Sequence, residues 1–124
     1  MKLRIRGNSV RFRLSQTDMV QLAEHGSVQD SVEFGPGARL DFRIEVGSAE
    51  GLKASYSANS IRVLVPTAMA QKWAEPEEVA IRGDQPVTGD GMLSILLEKD
   101  FTCLTPREDE DDSDAFPNPA STDN

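Results

Sequence analysis

Lys2-Leu3-Arg4-Ile5-Arg6-Gly7-Asn8-Ser9-Val10-Arg11-Phe12-Arg13-Leu14 is the stretch whose reading decides the fold. Leu3 and Ile5 alternate with Lys2, Arg4 and Arg6, and then Val10, Phe12 and Leu14 alternate with Arg11 and Arg13. A period of two places apolar and charged side chains on opposite faces of an extended chain, so both runs read as half-buried strands. Gly7-Asn8 between them suits a two-residue hairpin turn, which needs positive φ. With that turn Ile5 faces Val10, Leu3 faces Phe12, Arg4 faces Arg11 and Lys2 faces Arg13. One face is apolar, and the other is a ladder of five cations.

The same alternation continues along the chain. Leu40, Phe42, Ile44 and Val46 alternate with Arg39, Asp41, Arg43 and Glu45 after the Gly35-Pro36-Gly37 turn, and Val28 to Phe34 is a less regular strand before it. Leu52 to Ser57 and Ile61 to Val65 form a hairpin around Ala58-Asn59, and Val79 to Arg82 pairs with Met92 to Lys99 across a loop rich in Gly, Asp and Pro. Two short helices interrupt the strands. Ser15 caps the first with Asp18 three residues on, Met19, Leu22 and Ala23 share a side, and Gly26 ends it. Pro66-Thr67 opens the second, where Met69 and Trp73 share a face as core residues, and Pro76 stops it. About seven short strands in hairpin succession with two helices predict an α+β domain, mainly antiparallel, as a sheet or a partly open barrel.

Charge is unevenly spread. Residues 1–100 carry 12 Lys and Arg against 14 Asp and Glu, whereas residues 101–124 carry one Arg against 7 acids. Most of the net charge of −8 therefore sits on the last stretch. Glu108 to Asp114 is six acids and a serine, followed by Phe116-Pro117-Asn118-Pro119 without periodicity, a composition that buries too little to offset the entropy of ordering. A globular domain at 1–104 and a flexible acidic tail at 105–124 are expected.

A pI of about 4.6 opposes general nucleic-acid binding, which needs cations to displace phosphate counterions. No apolar run approaches the roughly 20 residues that cross a bilayer, and the opening has no continuous apolar core of a secretory signal. The single cysteine, Cys103, cannot form an internal disulfide, so a reducing cytoplasmic location is expected. One Cys and one His, His25, are too few for a zinc site, and His25 at the end of the first helix is placed to complement its dipole. No phosphate-binding glycine loop, nucleophile elbow or zinc-protease motif occurs. The acidic run lacks the glycine and spacing of a calcium loop. No catalytic residue, cofactor or metal is expected.

The cationic ladder is the candidate site. Arg4 opposite Arg11 and Lys2 opposite Arg13 repel, at roughly a few tenths of a kcal/mol per pair, unless an anion relieves them. Lys2, Arg4, Arg6, Arg11 and Arg13 are therefore the candidate residues for an anionic partner, because guanidinium forks match carboxylate and phosphate oxygens. That anion is a segment of a protein partner, a small ligand, or the chain's own run 108–114 acting as a tethered competitor. In the plainer alternative the cations extend into water or pair with Glu33, Asp41 and Glu45 on neighbouring strands.

The start at 2–14, together with Glu98-Lys99-Asp100-Phe101-Thr102-Cys103-Leu104, the acidic run and Phe116-Pro117-Asn118-Pro119, resembles a family of small uncharacterised bacterial proteins. The resemblance implies a bacterial, cytosolic protein and brings no activity with it. Triphosphate-tunnel enzymes open with Glu-x-Glu-x-Lys; the matching strand here reads Arg4-Ile5-Arg6. The expected function is a non-enzymatic interaction module with a basic hairpin, and the alternative is a small-anion binder or enzyme using the same arginines.

Overall fold

The computed structural model describes residues 1–100, which fold into eight strands and two helices. The first hairpin is β1 (Lys2–Arg6) and β2 (Ser9–Leu14), and its register is Lys2 with Arg13, Leu3 with Phe12, Arg4 with Arg11 and Ile5 with Val10. Gly7 supplies the positive φ, 57°, that lets the chain reverse in two residues. Then come α1 (Gln16–His25), β3 (Ser27–Gly35), β4 (Ala38–Gly47), β5 (Lys53–Ser57), β6 (Ser60–Pro66), α2 (Thr67–Trp73), β7 (Ala80–Pro86) and β8 (Met92–Lys99). The expected cap of α1 is present in both directions. Asp18 N–H donates to Ser15 Oγ at 3.1 Å, and Ser15 N–H donates to Asp18 Oδ2 at 2.9 Å.

All four hairpins form, but they assemble into two four-stranded sheets, β1-β2-β8-β7 and β3-β4-β6-β5. Each sheet joins two hairpins through a central parallel pair, β2 with β8 and β4 with β6. These parallel joints are absent from the hairpin reading, because period two tells which face a residue occupies and not which strand lies beside it. Hydrophobic faces of both sheets meet in one core: Phe12, Leu14, Ile95 and Leu97 from the first sheet, Phe42, Ile44, Val63 and Val65 from the second. The Phe12 and Phe42 rings, one from each sheet, lie 6.3 Å apart. Trp73 of α2 is fully buried and donates its indole N–H to the Val79 carbonyl at 3.3 Å.

The topology is duplicated. Replacing β1, β2, α1, β3 and β4 by β5, β6, α2, β7 and β8 converts one sheet order into the other. Lys2, Asn8, Ser9 and Arg11 recur in the second half at one constant offset as Lys53, Asn59, Ser60 and Arg62, and the buried Leu22 of α1 recurs as Trp73 of α2. In the parallel ladders Ser9 lies beside Ser94 and Ser60 beside Asp41, so Glu98 of β8 corresponds to Glu45 of β4. The domain limit expected at 104, Cys103 and the acidic run 108–114 fall outside the described residues. Among the described residues no helix is long and apolar enough to cross a membrane.

Candidate functional site

Alternation turns Lys2, Arg4 and Arg6 of β1 to the outer face of the first sheet, and the ladders then fix what stands beside each cation. Three rows cross the sheet. The first is Lys2, Arg13, Glu98 and Ala80; the second is Arg4, Arg11, Leu96 and Arg82; the third is Arg6, Ser9, Ser94 and Asp84. The five cations therefore share one face, and β7 adds Arg82 at the far side.

Glu98 is the carboxylate that the hairpin reading did not supply. Its Oε2 lies 2.9 Å from Arg11 Nε and 3.6 Å from Arg13 Nη2, and its side chain is only 16 % exposed. Lys2 Nζ reaches Asp100 Oδ2 at 3.2 Å. Glu33, Asp41 and Glu45, which the sequence offered as neutralising partners, stand on the second sheet instead. There Glu45 holds Arg62 Nε at 2.7 Å and Arg43 Nη2 at 3.2 Å, and Asp41 holds Arg39 Nη2 at 2.8 Å. The two sheets thus repeat one ion pair, Arg11 with Glu98 and Arg62 with Glu45, and differ around it. Where the second sheet has Arg43 beside Arg62, the first has Leu96 beside Arg11, and where the second has Gln29, the first has Arg82.

The second and third rows line a concave pocket of about 310 Å³, into which Arg4, Arg6, Arg11 and Arg82 converge with Asp84 as the carboxylate of the lining. Ser94 Oγ donates to Asp84 Oδ1 at 3.1 Å, which uses part of that carboxylate's capacity. Arg82 forms no ion pair among the described residues. Guanidinium groups gathered on one concave surface offer an oxyanion several charge-assisted hydrogen bonds at once.

Of the sequence-derived candidates, Arg4, Arg6 and Arg11 come together in the pocket, while Lys2 and Arg13 stand in the adjoining row against Asp100 and Glu98. Arg82 was missed. Its signal was the outward alternation of Ala80, Arg82 and Asp84, but its place in the row of Arg11, across Leu96, depends on the parallel pairing of β2 with β8. Among the described residues no group of three or more His, Cys, Asp or Glu could hold a metal ion. His25 lies in the last turn of α1.

Residues 1–120 match the model of a family described as "Family of unknown function (DUF7009)". No curated protein and no solved structure matches the chain.

Proposed function

For this chain, which belongs to the DUF7009 family of unknown function, we propose a non-enzymatic interaction module of the bacterial cytoplasm that holds an anionic segment of a protein partner on the outer face of its first sheet. The observation that supports it is the convergence of Arg4, Arg6, Arg11 and Arg82 on one concave surface that Asp84 also lines among the described residues. Lys2 and Arg13, one row away, extend the positive field and steer the partner. The duplicated second sheet has Arg39, Arg43 and Arg62 paired with Asp41 and Glu45, whereas Arg82 of the first sheet forms no ion pair among the described residues.

The concavity favours a second reading, in which the pocket clamps the phosphate or carboxylate of a small ligand. Titration of the full chain with inorganic phosphate and, separately, with an acidic peptide separates them. A peptide that binds far more tightly than phosphate, with affinity falling steeply with salt, supports the interaction module; comparable affinities support the small-anion site. Arg82→Ala and Arg11→Ala each weaken binding roughly tenfold, as loss of a charge-assisted pair does. Absence of any amide shift at Arg4, Arg11 and Arg82 with either probe removes the proposal.

The acidic run 108–114 is a tethered competitor for the same surface in this proposal. Replacing its acids by amides in the full-length chain raises affinity for the acidic peptide, because the local competitor at mM effective concentration is gone. Unchanged affinity dismisses the competitor.

A further inference from the structure

β8 alternates between the core and the outer face up to its last residue. Ile95 and Leu97 are buried in the core, while Glu98 meets Arg11 and Asp100 meets Lys2 on the outer face. Three contacts fix the point at which the chain leaves the described residues. Lys99 Nζ donates to the Glu75 carbonyl at 2.9 Å, the Asp100 N–H donates to the Leu14 carbonyl at 2.8 Å, and the Asp100 carboxylate holds Lys2 at 3.2 Å. Continuing the period of two along the sequence puts Phe101 and Cys103 on the side of Leu97, and Leu104 follows them.

Lys99 and Asp100 also line a groove of about 570 Å³, whose apolar walls come from β2 and α1, as Leu14, Met19, Val20 and Ala23, and from the residues after α2, as Ala74 and Pro76. Val20 and Ala23 stand three residues apart and so share a stripe of α1, beside the one that buries Leu22. Val20 is 53 % exposed. Lys99 and Asp100, the charged members of this lining among the described residues, already have the partners named above, so the groove offers an occupant apolar surface.

We propose that this groove seats the chain's own residues 101–104, with Phe101 against Val20 and Ala23. The chain leaves the described fold from within the lining itself, and the first side chains it can present are Phe101, Cys103 and Leu104. An occupant joined to the groove by one peptide bond has an effective concentration against which a second copy or another protein must compete. The run Glu108 to Asp114 has no apolar side chain to place there, and Phe116 lies beyond that run and must close a longer loop. The inference stands apart from the reading of the basic face. It bears on that reading in one respect, because only residues 105–107 then separate the seated segment from the acidic run.

Cys103 is the single cysteine and reports the seating directly. Iodoacetamide labels it in the folded full-length chain at least about tenfold more slowly than in the same chain unfolded in urea, because the segment reacts only when it leaves the groove. Phe101→Ser and Val20→Gln act from the two sides of the contact. Each restores fast labelling and leaves the far-UV circular dichroism unchanged, since neither residue belongs to the buried core. In the parent, nuclear Overhauser contacts join the Phe101 ring to the methyls of Val20 and Ala23. Labelling of the folded parent as fast as in urea overturns the proposal. Slow labelling that either substitution fails to release places the segment elsewhere and overturns it as well. Protection of Cys103 that grows with protein concentration assigns the groove to a second copy, and Overhauser contacts from Phe116 in place of Phe101 assign it to the far end of the chain; both outcomes overturn the proposal.

Discussion

Ala58 and Gly7 occupy corresponding turns, and they differ in what the backbone requires of them. Ala58 has φ of 50° and Asn59 has 61°, whereas the first hairpin uses Gly7 at 57°. A Cβ in this left-handed region clashes with the neighbouring carbonyl, at a cost of roughly 1–2 kcal/mol, so Ala58→Gly raises stability by about 1 kcal/mol, read as a higher urea midpoint at unchanged slope. Asp18 makes a second prediction at this scale. Burial alone pushes its carboxyl up, but the hydrogen bond from Ser15 N–H and the terminal ammonium 3.1 Å away outweigh it and hold the pKa below the usual value of 3.8. Because the folded pKa lies below the unfolded one, the stability that Asp18 contributes is complete above pH 3.8 and is lost as pH falls through the folded value. Urea unfolding of Asp18→Asn against the parent therefore shows a gap that is widest near neutral pH and closes on strong acidification; a gap independent of pH refutes the assignment. Ser15, Asp18 and Gly26 were all legible in the sequence, because a cap is a local event completed within four residues.

At the scale of elements, the parallel joint between β2 and β8 decides the electrostatics of the basic face. It brings Glu98 beside Arg11 and Arg13, and it also places Arg82 two strands from Arg11. Glu98→Gln removes the carboxylate that these guanidinium groups share. The expected results are a loss of roughly 1 kcal/mol in folding stability and roughly tenfold tighter binding of an acidic peptide, measured by chemical denaturation and by calorimetric titration. Unchanged affinity would mean that Arg11 and Arg13 stand outside the binding surface. The hairpins themselves were legible, because alternation and turn residues occupy a few consecutive positions. Arg82 was not, because the loop before β8 hides the register of the last hairpin and no local pattern identifies the neighbour of β2.

For the whole molecule, a single core serves both sheets and both helices, so its loss is not confined to one half. Trp73→Ala leaves a large cavity where α2 meets the sheets and costs roughly 3–5 kcal/mol. Probes in β1–β2 and in β5–β6 should lose structure in one shared transition; two separate midpoints would show that the duplicated halves fold independently. The duplication escaped the sequence reading because few identities survive between the halves, and those that do, such as Asn8-Ser9 with Asn59-Ser60, sit in turns where any hairpin uses similar residues. The sequence by itself determined the hairpins, the caps, the helix positions and the existence of a cationic strand face, since each follows from local periodicity and backbone preference. Only the tertiary structure decided which hairpins share a sheet, that Glu98 and not Asp41 or Glu45 meets Arg11 and Arg13, that Arg82 joins the pocket, and that the Gln85 side chain of β7 bonds the backbone of Ala54 on β5. The physical reason is that alternation encodes the side of a sheet and is silent about the neighbour, which is chosen by long-range packing of apolar faces in a common core.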